Sequence, residues 1–244
     1  MRVWDVHPGY LTRNSLLGQH AEIHALFNVI KDCKKGYGAH PETLRWKGHL
    51  NILRKRHDLT VKEMVLRGYR HASPCREEEK YANSSLRLKY INHPAEQLEI
   101  LREKYLKNSS RGRIPLPRRG SDFWAHHKYS VMARGYNYYK DIQSFLRGKK
   151  DLPVKEEREL IEKVTGIMEK PVPSKALVNL IHHLWGYFKD KASETEKEEY
   201  LNFPRESLSS VIQSFYQMAR KYDQEYLLQS TVFADLLEEW LRDG

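Results

Sequence analysis

Apolar residues recur at helical spacing along most of the first half of the chain. Six apolar side chains between residues 15 and 32 share one helical face, and two glycines within residues 34–38 end that pattern. A second helix is predicted to begin at Pro41 and to end before Gly68, and a third covers residues 94–106. Since no segment here alternates with a period of two residues, we expect helices joined by irregular loops.

The second half of the chain has the same helical periodicity. Prolines 153, 173 and 204 precede or begin apolar-periodic segments, where the missing N–H of proline is tolerated. The predicted helices cover residues 123–146, 154–168, 173–190, 193–201, 204–222 and 223–242. The predicted fold class is therefore all-α, with a compact few-helix domain followed by a helical bundle.

The periodicity is lost between residues 107 and 121. These 15 residues contain two prolines, two glycines, three serines and five lysines or arginines. Such a composition is typical of a linker, and its cations could lie along a phosphate backbone. We predict a basic linker at residues 107–120, with one domain at residues 1–115 and another at 121–244.

Charge is distributed unevenly between the two predicted domains. The whole chain has a formal charge of +10, yet residues 1–120 contain 24 basic and 12 acidic side chains, a charge of +12. The remaining residues carry a charge of −2. A basic surface attracts polyanions, so the charge indicates that the first half binds a nucleic acid; the alternative is a basic surface that only keeps the protein in solution.

The hydrophobic content, the length of the apolar runs and the number of cysteines limit the classes of protein to which this chain can belong. Hydrophobic residues make up 40% of the chain, which is enough for a folded core, and every apolar run is much shorter than the roughly 20 residues of a membrane span. The first residues lack the apolar segment of a signal peptide, and the cysteines are limited to Cys33 and Cys75. We expect a cytoplasmic protein without a disulfide framework or membrane partner; the sequence carries no signal for an oligomeric state.

Glu22 is the first candidate catalytic residue, and it lies in the first predicted helix between His20 and His24. The two histidines share a face, whereas Glu22 points about 200° away from His20. This spacing differs from that of zinc-binding His-Glu-x-x-His helices, and no third or fourth ligand follows at metal spacing. We therefore expect the histidines to be surface or phosphate-contacting residues, with no metal and no cofactor.

The amino terminus is a second candidate. An α-amine has a pKa of about 7.7–8.0, so an appreciable fraction is neutral and nucleophilic near neutral pH. Arg2 follows Met1, and its bulk should oppose removal of the methionine. The candidate nucleophile is therefore the α-amine of Met1.

Several motifs of the first half, taken together, resemble the pyrimidine-dimer DNA glycosylase family of the endonuclease V type. They are the start Met-Arg-Val-Trp, the segment 11–27, the Leu-Arg-Lys-Arg of residues 53–56 followed by Arg-Gly-Tyr at 67–69, and the Lys-Gly-Tyr-x-x-His-Pro of residues 35–41. The resemblance covers roughly residues 1–105. One register aligns the terminus, Arg2 and Glu22 with the family pattern.

This resemblance implies a metal-independent DNA glycosylase with abasic-site lyase activity on damaged double-stranded DNA, with ultraviolet pyrimidine dimers as the expected lesion. The amine of Met1 would form a Schiff base with the sugar, and Glu22 would stabilise the cationic intermediate. The candidate DNA-contacting residues are Arg2, Arg13, Asn14, His20, His24, Lys34, Lys35 and Arg45. Ala21 and Ala25 stand where the phage member of this family has arginines, and Asn14 stands where it has a glutamine. The loss of the two cations affects the expected lesion more than the lyase chemistry.

The second half resembles the YbgA-like helical domain, whose function is unknown. The matching blocks are residues 127–133, 179–189 and 226–229. A polar pocket between helices is predicted from His127, Lys128, Asn179, His183, Tyr187 and Gln229. The alternative is that these residues are hydrogen-bonded polar positions of the core.

Two other functions remain open from the sequence. The first is a non-catalytic adaptor that binds nucleic acid and makes no use of the terminal amine or Glu22. The second places the main activity in the C-terminal domain, on a modified base or nucleotide.

Overall fold

The computed structural model describes residues 2–33, 36–75, 88–149, 151–202 and 208–237, and every regular element among them is a helix. The prediction of an all-α fold is confirmed. The chain divides into two compact units, the first ending at Gly112 and the second beginning at Arg113. Among the described residues, no helix has both the length and the apolar character needed to cross a bilayer.

The described residues of the first unit form four α-helices after a single 3-10 turn at Pro8–Tyr10. They are α1 (Arg13–Lys31), α2 (Pro41–Trp46), α3 (Leu50–Leu66) and α4 (Pro94–Asn108). Thr12 caps α1 by accepting a hydrogen bond from the Ser15 N–H, and α1 packs against both α2 and α3. Its buried face forms a core with the N-terminal segment and α3, built on Val3, Ile23, Leu26, Trp46 and Leu53.

The single helix predicted from Pro41 to Gly68 is two helices in the structure. Helix α2 ends at Trp46, and Gly48 follows with a φ of 83°, a conformation that an α-helix does not contain. Helix α3 then begins at Leu50. The apolar period continues across this break, so periodicity alone did not reveal it.

The second unit is built around one central helix. It contains α5 (Gly120–Arg134), α6 (Tyr136–Leu146), α7 (Val154–Met168), α8 (Ser174–Trp185), α9 (Glu194–Leu201), α10 (Leu208–Lys221), α11 (Glu225–Leu228) and α12 (Val232–Asp235). Helix α5 packs against α6, α7, α8 and α12. Its residues are buried on more than one side, which explains the weak amphipathic pattern of this segment.

Two predicted helices of this unit are also divided. The helix predicted at 123–146 is interrupted at Gly135, and the one predicted at 223–242 becomes α11 and α12 with Ser230 and Thr231 between them. The His126 carbonyl oxygen accepts hydrogen bonds from the Ser230 hydroxyl and from both the N–H and the hydroxyl of Thr231. These tertiary bonds satisfy polar groups that a continuous helix would use internally.

A buried ion pair joins α5 to α12. The side chains of Arg134 and Asp235 are each 5% exposed, and two nitrogens of the guanidinium reach the two carboxylate oxygens at 2.5 and 2.9 Å. Arg134 also donates to the carbonyl oxygens of Ser130, Met168 and Lys170. The arginine therefore satisfies carbonyl groups near the ends of α5 and α7 as well as the carboxylate.

Candidate functional site

The N-terminal segment lies outside any helix, is buried and is held by side chains of three helices. Val3, Trp4 and Asp5 are each at most 7% exposed. Their consecutive N–H groups donate to side-chain oxygens, Val3 to Glu42 at 3.3 Å, Trp4 to Gln19 at 2.9 Å and Asp5 to Gln97 at 2.7 Å. Side-chain acceptors thus satisfy backbone donors that have no helix or sheet partner.

A network of charged groups surrounds this segment. The guanidinium of Arg45 binds the carboxylate of Asp5, approaches Glu42 at 3.5 Å and donates to the Lys89 carbonyl at 2.7 Å. Burial raises the pKa of the Glu42 carboxyl, and the positive charge of Arg45 opposes that shift. Arg45 therefore has partners inside the protein, and its predicted contact with DNA phosphate stays a prediction.

Gln19 connects the N-terminal segment to two helices at once. Its carboxamide oxygen accepts from Trp4, and its nitrogen donates to the Thr60 hydroxyl of α3 at 2.8 Å. The Thr60 hydroxyl in turn donates to the Arg56 carbonyl at 2.7 Å. With 1% of its surface exposed, Gln19 is a fixed part of the core.

Glu22 lies one helical turn after Gln19 and is half-buried. Residues three apart on a helix are neighbours on its surface, so Glu22 lies beside Gln19 on α1. Met1 lies outside the described residues. The predicted pairing of these two residues thus stays a prediction.

The remaining predicted DNA contacts lie at several places on the first unit. Arg2 donates to the Asn92 side chain at 2.9 Å and its guanidinium lies 4.3 Å from the centre of the Trp4 ring. Arg13 and Asn14 are exposed at the start of α1, where Arg13 lies over the ring of Tyr69. Two further candidates lie outside the described residues: Lys34 and Lys35.

His20 and His24 belong to a cluster with two histidines from elsewhere in the chain. His57 comes from α3, and His71 from the segment that follows it. One nitrogen from each of the four rings lies within 4.8 Å of the others, and the Nε2 atoms of His20 and His24 are 3.2 Å apart. We call His20, His24, His57 and His71 the histidine cluster.

The histidine cluster is partly withdrawn from solvent, and burial lowers the pKa of three of its rings. His57 is 1% exposed and the other three are half-buried. Burial, with a smaller contribution from the neighbouring imidazoles, lowers the pKa of His20 to about 4. Burial also lowers the pKa of His24 and of His71, each with a further contribution from His57.

Sequence reasoning identified half of this cluster and missed His57 and His71. The pair His20 and His24 was visible because residues four apart share a helical face. The other two lie on different elements at no recognisable spacing, so only the packing of α1 against α3 brings them together. His57 and His71 do not follow at a metal-binding spacing in the sequence, yet the structure places a nitrogen of each near those of His20 and His24.

The six residues of the predicted C-terminal pocket are found in different surroundings. Lys128 lies over the rings of Tyr129 and Tyr226, and the Tyr129 hydroxyl is 2.6 Å from that of Tyr187. His127 is buried and donates from Nδ1 to the Phe123 carbonyl at 2.9 Å. The other three are Asn179 and His183, exposed on α8, and Gln229, whose side chain donates to Glu225. Only Lys128 and Tyr187 meet in one aromatic cluster.

Two family models match different parts of the chain. Residues 1–77 match the family model described as pyrimidine dimer DNA glycosylase, and residues 128–235 match the model described as a protein of unknown function (DUF1722). The resemblance of the two halves to two different families is confirmed. Searches of the curated proteins and of the solved structures return no match.

Proposed function

We propose that the first unit is a DNA glycosylase and abasic-site lyase that excises damaged pyrimidines, with the α-amine of Met1 as nucleophile and Glu22 as the catalytic carboxylate. The observation that carries the proposal is the anchoring of the N-terminal segment on α1, the helix that contains Glu22, within the part of the chain that matches the glycosylase family. Three successive N–H groups are fixed to side-chain oxygens immediately after the proposed nucleophile.

The distances along the chain are compatible with this pairing. Three residues from Trp4 to Met1 span at most about 10 Å, and Glu22 lies about 4.5 Å along the helix axis from Gln19, which binds Trp4. A chain of this length allows the amine of Met1 to approach the Glu22 carboxylate. A fixed segment also reduces the entropy lost when amine and sugar are brought into contact.

The chemistry needs only an amine and a carboxylate. The amine lone pair attacks C1′ of the nucleotide, the bond from C1′ to the base breaks, and the base leaves with that electron pair and takes up a proton. Loss of a proton from the amine and opening of the sugar ring give an iminium ion. Removal of a C2′ proton then expels the 3′ phosphate and cuts the strand. Glu22 stabilises the cationic sugar and accepts or donates the protons.

Charge and exposure support DNA as the partner. The formal charge of +12 belongs to residues 1–120, and phosphate contacts by lysine and arginine supply much of the affinity for DNA. Arg13 and Asn14 are exposed at the start of α1 and are the best placed of the predicted phosphate contacts. Extrusion of the damaged nucleotide from the duplex would bring its sugar to the amine.

Borohydride trapping tests this proposal. Protein produced without an N-terminal tag is expected to form a covalent adduct with a duplex containing an abasic site, because borohydride reduces the iminium to a stable amine. Peptide mapping should locate the adduct at the α-amine of Met1. Protein with an N-terminal extension is the control and should give no adduct at that site. An absence of adduct from the untagged protein would favour the non-catalytic adaptor.

The Gln19→Leu substitution tests the role of the anchored segment. We expect the rate of trapping to fall by roughly tenfold, because the Trp4 N–H loses its acceptor and the segment loses a contact with α1. The buried donor left without a partner should also lower the free energy of unfolding by about 1–3 kcal/mol. Gln143→Leu, at an exposed position of α6, is the control. A trapping rate equal to that of the control would show that this anchor is unimportant.

A further inference from the structure

We propose that the histidine cluster binds one zinc-class divalent transition-metal ion that joins α1 to α3 and to the segment after α3. Imidazole nitrogen is a preferred ligand for zinc, copper, nickel and iron, and four ligands at tetrahedral positions are typical of structural zinc sites. Nothing in the glycosylase chemistry proposed above uses this ion. The inference thus goes beyond the proposed function and does not rest on it.

The spacing of the two α1 histidines fits a shared ion. Two nitrogens bound to one tetrahedral zinc at about 2.0–2.1 Å are about 3.3 Å from each other. The Nε2 atoms of His20 and His24 are 3.2 Å apart. The four nitrogens all lie within 4.8 Å of one another, so small rotations of the side chains would place them at the corners of a tetrahedron around one ion.

In each of His57, His71 and His24, one ring nitrogen contacts a neighbouring group. The other nitrogen is then available to bind a metal ion. In His57, Nδ1 lies 3.1 Å from the Asp58 carboxylate, while Nε2 is buried and has no hydrogen-bond partner among the residues that the structure describes. In His71, Nε2 donates to the Ser73 carbonyl at 2.9 Å, which leaves Nδ1 as the ligand. In His24, Nδ1 lies 3.7 Å from the Cys75 sulfur. Metal-binding histidines typically donate their second N–H to an outer acceptor of this kind.

A buried imidazole nitrogen without a partner is costly for a protein that binds nothing there. Leaving such a polar atom unsatisfied costs about 1–3 kcal/mol, and native structures contain few of them. His57 is 1% exposed, so water does not supply the missing bond at its surface. A metal ion would use the lone pair of Nε2 and those of the neighbouring rings together.

Four protein ligands give the ion a structural role. A closed coordination shell leaves no position for substrate or for an activated water, in contrast to catalytic zinc sites with three protein ligands. The ion would fix α1, which contains Glu22, to the segment containing His71 and Ser73. For His20 and His24, this role replaces the predicted contact with DNA phosphate.

Metal titration of the full-length protein tests the inference. Protein purified without a histidine tag and stripped with a chelator is expected to take up one equivalent of zinc. Cobalt in place of zinc should give the strong visible absorption of a tetrahedral site. At a free zinc concentration 100-fold above the dissociation constant, the Tm should rise by roughly 5–10 °C. Failure to bind zinc or cobalt stoichiometrically would overturn the proposal.

Single substitutions identify the ligands. His24→Ala and His71→Ala change ligands on different elements, and each should weaken zinc binding at least 100-fold. Asp58→Asn keeps the shape of the side chain but weakens the outer contact of His57, and should reduce affinity roughly 10- to 100-fold. His182→Ala, at an exposed position of α8, is the matched control and should bind zinc normally. Equal affinity in all four variants would place the metal elsewhere and overturn the assignment.

Borohydride trapping separates this proposal from the proposed function. Chelator-stripped protein that remains folded is expected to form the Met1 adduct, since the iminium chemistry needs no metal. Stoichiometric zinc binding without trapping would support the metal site and contradict the glycosylase. Trapping without zinc binding would support the glycosylase and contradict the metal site.

Discussion

Glu22→Gln is expected to reduce excision of pyrimidine dimers by roughly 10²- to 10⁴-fold while the affinity for DNA stays nearly unchanged. The amide has the shape of the carboxylate but carries no negative charge, so it cannot stabilise a cationic sugar. Single-turnover nicking of an irradiated duplex measures the rate of excision, and fluorescence anisotropy of a labelled duplex measures the affinity.

The matched control for this substitution is Glu99→Gln, which removes one negative charge from an exposed position of α4. Because DNA binding depends on charge, any gain in affinity common to both variants comes from the net charge alone. A similar loss of rate in both variants would contradict the catalytic role of Glu22. If affinity fell as steeply as rate in the Glu22 variant, its role would be structural.

Asp235→Ala is expected to lower the free energy of unfolding of the second unit by about 3–5 kcal/mol, because it leaves the Arg134 guanidinium buried without its counter-charge. Urea unfolding followed by far-ultraviolet circular dichroism measures this loss in the full-length protein. Combining Arg134→Met with Asp235→Leu should recover part of the lost stability, since no unpaired charge then remains. The carbonyls that Arg134 bonds limit the recovery.

The control for the buried pair is the exposed pair of Lys197 and Glu194, with side chains 38% and 85% exposed. Lys197→Ala should change the unfolding free energy by less than about 0.5 kcal/mol, because solvent screens exposed ion pairs. If Asp235→Ala lowered the free energy of unfolding by less than about 1 kcal/mol, the pair of Arg134 and Asp235 would not be desolvated in solution.

Helix prediction succeeded where one apolar face continued without interruption. Helix α7 begins and ends at the predicted residues, Val154 and Met168, after a proline that marks its start. It failed at Gly48, where a positive φ ends α2 although the apolar period continues, and at Ser230 and Thr231, whose polar groups bind a distant carbonyl. Periodicity reports which face is buried, and it does not report where the backbone changes direction.

Only part of the candidate site could be predicted from the sequence. Glu22 and Met1 are the predicted catalytic residues because the family pattern aligns them, and the family match covers both positions. The role of Gln19 was not predicted, since a glutamine on a helix carries no signal of its partners. Its bonds to Trp4 and Thr60 join positions 15 and 41 residues away along the chain.

The amino-acid sequence by itself determined the helical fold class, the basic first half and the two family resemblances, because each depends on local periodicity, composition or motif spacing. Only the tertiary structure decided which side chains meet. The packing of α1 on α3 brings His57 beside His20 and His24, and the chain after α3 adds His71. Such a site has no fixed spacing in the sequence, since its ligands are positioned by the helix packing and not by their separation along the chain.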